Sequence, residues 1–349
     1  MREDDGVTVP REHEAAAVVE RYARFARDEA PGRSALYAGW AAGVAADPAT
    51  AAILARIPAT RRQPPLVFAV TRMLGAPETP FPQWAAWLQR HADTVVAEAS
   101  RRRLQTNEPQ RCAALLPALA TIDGPIALLE VGASAGLCLY PDRFSYRYRA
   151  GDAVVALDPV DGPSSVVLDA QVSGDPPLHI PDVVWRAGID LAPLDAADTA
   201  DRRFLTSLVW PGERGRADRI AAALDIVAAD PPMLRAGDAA DPGTVRAAAA
   251  LAPRDARLVV TTPGVLPHIE RAGRERLIDT VRALDAVWVT IDPPGLYAGS
   301  RQDWRPPVDP STWGGFVLGI DGRAVAAVDP LGAFVDWRAW RPNETDAGG

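Results

Sequence analysis

Residues 128–139 read LLEVGASAGLCL. An apolar run is broken by Glu130, and small residues then recur at every second position, Gly132, Ser134 and Gly136. Large side chains are kept off this stretch, so something must pass close to its backbone. The run IALLEV (126–131) follows the turn residues Asp123-Gly124-Pro125 and is too short for a helix, which predicts a buried strand of a parallel sheet. VVW (183–185), MLRAGD (233–238), RLVVTT (257–262) and AVWVTID (286–292) repeat the pattern. Helical stretches such as DRIAAALDIVAA (218–229) and ERLIDTVRAL (275–284) separate them. Such alternation predicts an α/β fold with a mostly parallel, Rossmann-like sheet. FSYRYRAGDAVVALDP and SSVVLDAQV interrupt it and are expected as antiparallel strands, a β insertion at about 143–175. Asp321-Gly322, between two apolar runs, predicts a C-terminal antiparallel hairpin.

Upstream of the turn the period changes to that of helices. EAAAVVERYARFARDEA puts Val18, Val19, Tyr22, Phe25 and Ala26 on one face, and Pro31-Gly32 ends the helix. Ser34 caps a second helix carrying Leu36, Tyr37, Trp40 and Val44, and Asp47-Pro48 opens a third. Further helices are expected at 65–74, 82–91, 93–104 and 107–120. The expected organisation is a disordered N-terminus (1–13), an all-helical domain (14–122), an α/β domain (123–340) and a disordered tail (341–349).

The chain has 349 residues and a formal net charge of −8, which argues against a nucleic-acid partner. Arg101–Arg103 and Arg61-Arg62 read as solvated helix faces. No apolar run is long enough to span a bilayer, and the acidic, polar N-terminus is no secretory signal, so a cytoplasmic protein without a membrane partner is expected. Arginine carries every basic charge; without lysine there is neither Schiff-base nor P-loop lysine chemistry. Cys112 and Cys138 form no metal-ligand pattern, so no metal is expected and both read as buried free thiols.

The spacing E-x-G-x-S-x-G of Glu130, Gly132, Ser134 and Gly136 departs from the dinucleotide fingerprint, because its third small residue comes one position early. It resembles motif I of class I S-adenosylmethionine-dependent methyltransferases, with Ser134 where a middle glycine often stands. That likeness implies S-adenosylmethionine as cofactor. Asp190, ending the second strand, then resembles the acid that takes the ribose hydroxyls, and Asp238, ending the third, the acid near the adenine amine. The competing reading for both is a helix N-cap. A closer resemblance runs through YARFARDEAPGRSALYA, QTNEPQRCAALLPAL, LLEVGASAGL, VVWRAGIDLAPLD, SLVWP, GDA and VDPLGAFVDW. In these stretches the chain is similar to the uncharacterised bacterial family catalogued as domain of unknown function 2332. The likeness implies a methyltransferase-like α/β fold behind a helical N-terminal part, and no activity. Where that family's pattern reads VFHSAVLAYL after the fourth strand, this chain has Thr262 at the His position and His268 at the Tyr. Catalysis is therefore in question even where the fold is kept.

Asn107, Glu108 and Arg111 form a polar cluster before an apolar helix. One reading is structural: Thr106 caps the helix and Glu108 pairs with Arg111. The other lines the pocket, with Arg111 matched to the methionine carboxylate of the cofactor. Glu108 and His268 are the candidate catalytic bases, and Asn107, Arg111 and Thr262 the candidate pocket residues. Two alternatives stand beside methyl transfer. One is a catalytically degenerate protein binding a nucleotide-like ligand or a partner. The other is a serine hydrolase with Ser134 as nucleophile, since Gly132–Gly136 also satisfies G-x-S-x-G, and with Asp190 or Asp238 and His268 completing a triad. Against that last reading, about 120 residues of helix precede this first parallel strand.

Overall fold

The computed structural model describes residues 8–297 and 315–337. In chain order it runs α1 (Thr8–Asp28), α2 (Ala35–Ala46), α3 (Pro48–Ala55), α4 (Pro64–Met73), α5 (Phe81–Arg90), α6 (Ala92–Arg101) and α7 (Arg111–Leu119). Then come β1 (Ile126–Val131), β2 (Ser145–Ala150), β3 (Ala153–Leu157), β4 (Val167–Ser173), β5 (Val183–Asp190), α8 (Thr199–Ser207), α9 (Arg216–Ala229), β6 (Met233–Ala236) and α10 (Pro242–Ala249). β7 (Arg257–Pro263), α11 (Arg271–Arg282), β8 (Val287–Asp292), β9 (Phe316–Ile320), β10 (Arg323–Val328) and β11 (Phe334–Trp337) complete it. The chain divides into two compact units, Met1–Thr106 with Asp198–Ala221, and Asn107–Ala197 with Ala222–Gly349. α7 thus belongs to the second unit and α8 to the first, a division that follows packing and crosses the sequence boundary expected near residue 122.

The first unit is helical, as the 3.6-residue period requires. Helix α1 starts at Thr8, so part of the N-terminus read as disordered is helical; residues 1–7 and the tail lie outside the described residues. Ser34 and Asp47 cap α2 and α3 through bonds to Tyr37 N and Ala49 N. Phe68 is the hub of the core, with ring centroids 4.9–5.7 Å from Tyr37, Trp40, Trp84 and Tyr22. Trp210 fills space between Phe25 and Tyr37 under the guanidinium of Arg33. The two arginine clusters are not simply solvated faces. Arg102 is buried and bonded to Glu98 and Asp201, and Arg62 is buried and bonded to Glu14.

The second unit carries one sheet of order β3-β2-β4-β11-β10-β9-β8-β7-β1-β5-β6. β6, β5, β1, β7 and β8 are mutually parallel, as alternating strands and helices predict. β9, β10 and β11 follow as an antiparallel meander, with Asp321 and Gly322 both at positive φ in the hairpin turn. The insertion does not stand apart. β2 and β3 form the expected antiparallel hairpin, but β4 is parallel to both β2 and β11 and joins the insertion to the same sheet. A second correction concerns the turn after β1. Where a strand–turn–helix unit would continue into an α-helix, the chain makes only a 3-10 turn at Leu137–Leu139 before β2.

Every residue of α7 is buried, against β4, β8, β9 and β11. Pro117 lies inside it and cannot donate to the carbonyl of Ala113. The Tyr148 hydroxyl takes over that acceptor at 2.8 Å, so the helix keeps its polar groups satisfied in an apolar setting. At its start, Gln110 Nε2 donates to the carbonyls of Asp169 and Gly332. Gly332 has φ +93°, and a Cβ there would run into the Gln110 carbonyl. Gly332→Ala is therefore expected to destabilise the protein by on the order of 3 kcal/mol, from the positive φ and the backbone clash together. Urea unfolding measures it; an unchanged midpoint would mean that the β10–β11 turn does not seat α7.

Candidate functional site

β1 has β5 on one side and β7 on the other, so the chain first runs one way from β1 and later returns to its opposite flank. Ligands of open α/β sheets bind beyond the C-terminal strand ends at such a reversal. The glycine turn stands there. Asp190, at the end of β5, accepts from Ser134 N (2.9 Å) through one oxygen and from Ala192 N (2.8 Å) through the other. Asn107 grips the turn from the opposite side: its amide donates to Ser134 Oγ (2.6 Å) and accepts from Ala135 N (3.2 Å). Leu194 N adds a bond to the Ser134 carbonyl. Ser134 is 3% exposed and takes φ +52°, a left-handed conformation uncommon for a side-chain-bearing residue. A buried hydroxyl held by an amide is poorly placed to attack a substrate, which counts against the hydrolase alternative.

The small residues first serve the chain's own packing. Gly132 has φ +78°, and a Cβ there would come 2.6 Å from a methyl of Val265, in the loop after β7. Gly136 is likewise at positive φ, with Pro232 where its Cβ would point. A bulky substitution at Gly132 would thus disturb folding before it told anything about a ligand.

The segment from Asn107 to Arg111 differs from its expected form. α7 starts at Arg111, so Thr106 is not its cap, and Glu108 Oε1 accepts from the backbone of Gln110. Arg111 makes no ion pair among the described residues. Its Nε and Nη1 donate to the carbonyls of Pro330 and Pro263, both at 2.9 Å, while Nη2 lies beside Gly264. The guanidinium, 8% exposed, therefore keeps an uncompensated charge at the end of β7.

Two carboxylates answer that charge from a distance. Along β1, Leu129 and Val131 face the apolar cluster of Val260, Leu277, Val281 and Trp288, so Glu130 alternates to the other face. It is buried, and Oε2 has no hydrogen-bond partner among the described residues. Burial pushes its carboxyl well above the usual range, helped by Cys138 and Asp190 and opposed by Arg111. Asp292 ends β8 and is fully buried, and its Oδ1 has no hydrogen-bond partner among the described residues. Burial raises it to about 8, against the Thr290 hydroxyl on its other oxygen and the charges of Arg111 and Arg274. Sequence reading missed Asp292. The rule that selected Asp190 and Asp238, an acid closing a parallel strand, applied equally to it.

Asn107, Glu130, Ser134, Asp190 and Arg111 gather at this end of β1. Other candidates do not join them. Thr262 is buried, accepts from the Trp288 indole (3.0 Å) and lies on the opposite sheet face. His268 is on an exposed 3-10 turn; desolvation, then Arg111, push its imidazole below the ordinary value. Asp238, exposed at the end of the outer strand β6, accepts from Ala240 N. Neither strand-end acid caps a helix: Asp198 caps α8 and Asp241 caps α10. Among the described residues no three His, Cys, Asp or Glu side chains converge as a metal-ligand set, and no helix is long and apolar enough to cross a membrane.

The model of a family described as "Uncharacterized protein conserved in bacteria (DUF2332)" matches residues 19–337. A search of curated proteins found no match.

Two outcomes follow from this geometry. Asn107→Ala removes two bonds to the turn and is expected to cost about 2 kcal/mol in denaturant unfolding, chiefly because the buried Ala135 N–H loses its acceptor. Asp292 binds its proton more tightly folded than unfolded, so its contribution to stability is fullest below about pH 4 and declines as pH rises. The decline should approach roughly 1.4 kcal/mol per pH unit between about 4 and about 8. Asp292→Asn should flatten that part of the profile. An equally steep decline in the variant would assign it to other groups.

Proposed function

The chain belongs to the DUF2332 family, and we propose that it binds an S-adenosyl nucleoside at the C-terminal end of β1, as a methyltransferase-like protein whose methyl acceptor is unassigned. The observation that carries this reading is the buried Glu130 carboxylate beside the glycine turn, with one oxygen unpartnered among the described residues. A carboxylate in that state accepts a cation with little rearrangement. The α-ammonium of a methionyl group is such a cation, and the Nη2 face of Arg111 suits the adjoining carboxylate. The strand order β6-β5-β1-β7-β8 and the acids Asp190 and Asp238 on successive strand ends support the same ligand.

The fit has a favourable and an adverse side. Asp190 already takes two backbone N–H bonds, but an ionised carboxylate has about four lone-pair sites, leaving room for ribose hydroxyls. Val265 covers Gly132, so close approach of a ligand to that residue requires the β7 loop to shift. When bound, S-adenosylmethionine supplies an electrophilic methyl. The chain would orient it through Glu130, Arg111 and Asp190, and catalysis would consist mainly of aligning an acceptor. Of the two candidate bases, Glu108 is buried and bonded to its own segment, whereas exposed His268, held neutral at pH 7, is open to an acceptor from solvent. The second reading, binding without turnover, is favoured by Thr262 being committed to Trp288.

Calorimetric titration with S-adenosylmethionine and S-adenosylhomocysteine tests the proposal. Binding is expected to release a proton from Glu130, read as a dependence of the heat on buffer ionisation. Glu130→Gln should weaken affinity by about 10- to 100-fold, the range for a hydrogen bond to a charged group. Its melting midpoint should hold, because burial already keeps the unliganded carboxyl protonated and a neutral amide of the same shape replaces it. No heat at millimolar ligand would end this reading, and unchanged affinity in the variant would remove Glu130 from the site.

A further inference from the structure

Cys112 and Cys138 play no part in the ligand reading, yet they are brought together. Cys112 sits in the first turn of α7 and Cys138 in the 3-10 turn that follows the glycine turn. The Cys112 thiol donates to the Cys138 carbonyl at 3.6 Å, and the Cys138 thiol donates to the Glu108 carbonyl at 3.4 Å. Asn107 fixes the approach of the two segments, since it bonds both to the hydroxyl of Ser134 and to the backbone of Ala135. Both cysteines are buried, Cys112 at 0% exposed and Cys138 at 8%, so Cys138 is the less enclosed of the two. That arrangement sets the Cys112 thiol against the backbone of Cys138, where it can serve as the resolving thiol.

We propose that this pair is a thiol-oxidation site, which a small two-electron oxidant of the peroxide class converts to an intrachain Cys112–Cys138 disulfide. The Cys138 sulfur attacks one peroxide oxygen, the O–O bond breaks, and a sulfenic acid and one water result. The Cys112 sulfur then displaces the hydroxyl from Cys138. The S–S bond forms, and the Cys112 proton leaves with the hydroxyl as a second water. The two sulfurs together give up two electrons, and one peroxide becomes two waters. Burial pushes the Cys112 thiol well up, which keeps it unreactive until its neighbour has been oxidised. The closed loop contains all of β1 and the glycine turn, so oxidation locks the start of α7 to the site, independently of whether that site binds a nucleoside.

The chain has no lysine, so trypsin cuts only after arginine, and both cysteines fall in the single peptide 112–143. Folded protein treated with hydrogen peroxide is expected to yield this peptide two hydrogens lighter, from monomeric protein, and closed to alkylation until reduced. In Cys112→Ser, Cys138 should instead stop at the sulfenic acid and be captured by dimedone. The proposal is overturned if the treated wild-type peptide still takes two alkyl groups, or if Cys138 appears as sulfinic acid beside a free Cys112.

Discussion

The Asn107 side-chain amide is the constraint on which the site depends. It donates to Ser134 Oγ and accepts from Ala135 N, so one planar group spans the residue that takes a left-handed backbone. A turn of small residues has little side-chain packing of its own to hold a strained conformation, and bonds from outside must supply it. Asp190 supplies the rest through Ser134 N. From Asn107 the same short segment continues to Gln110 and Arg111, which reach the β10–β11 turn, β4 and the end of β7. Five consecutive residues thus tie the turn after the central strand to β7, β4 and the β10–β11 turn.

Close to this rigid junction the second unit carries electrostatic disorder of a specific kind. Arg111 spends its bonds on neutral carbonyls, while Glu130 and Asp292 each bury an oxygen with no partner among the described residues. A pairing of Arg111 with either acid would have satisfied both at once. Leaving them apart costs desolvation energy that the fold must offset elsewhere. Such groups, poised between charge states, are what a site needs if a polar ligand is to complete it.

Much of the architecture was legible because periodicity is a local property. α2 and α3 begin beside the very caps that Ser34 and Asp47 advertise, and IALLEV, RLVVTT and AVWVTID are strands within a residue of their expected ends. The Asp321-Gly322 hairpin follows from the positive φ that its turn demands of both residues. Local signals failed where a distant partner decided the outcome. β4 pairs parallel with β11, about 160 residues away, and nothing within SSVVLDAQV says so. Arg102 and Arg62 sit in runs that look solvated, and are drawn inward by Asp201 and Glu14.

By itself the sequence determined the class of fold, the strand-to-turn junction at Glu130–Gly136 and the strand-end acids. These depend on hydrophobic period and on backbone φ, which neighbouring residues dictate. Only the tertiary structure decided what the small residues of the turn accommodate. Val265, Asn107 and Asp190 come to it from elements 27 to 133 residues away in the chain, and a contact's chemistry cannot be read from one of its partners alone. The tertiary structure likewise decided that Glu108 and Arg111 part company, because α7 begins only at Arg111 and leaves Glu108 outside the helix. It also decided that Asp292 is buried. Burial is a property of everything packed around a residue, and that packing is assembled from segments distant in the chain.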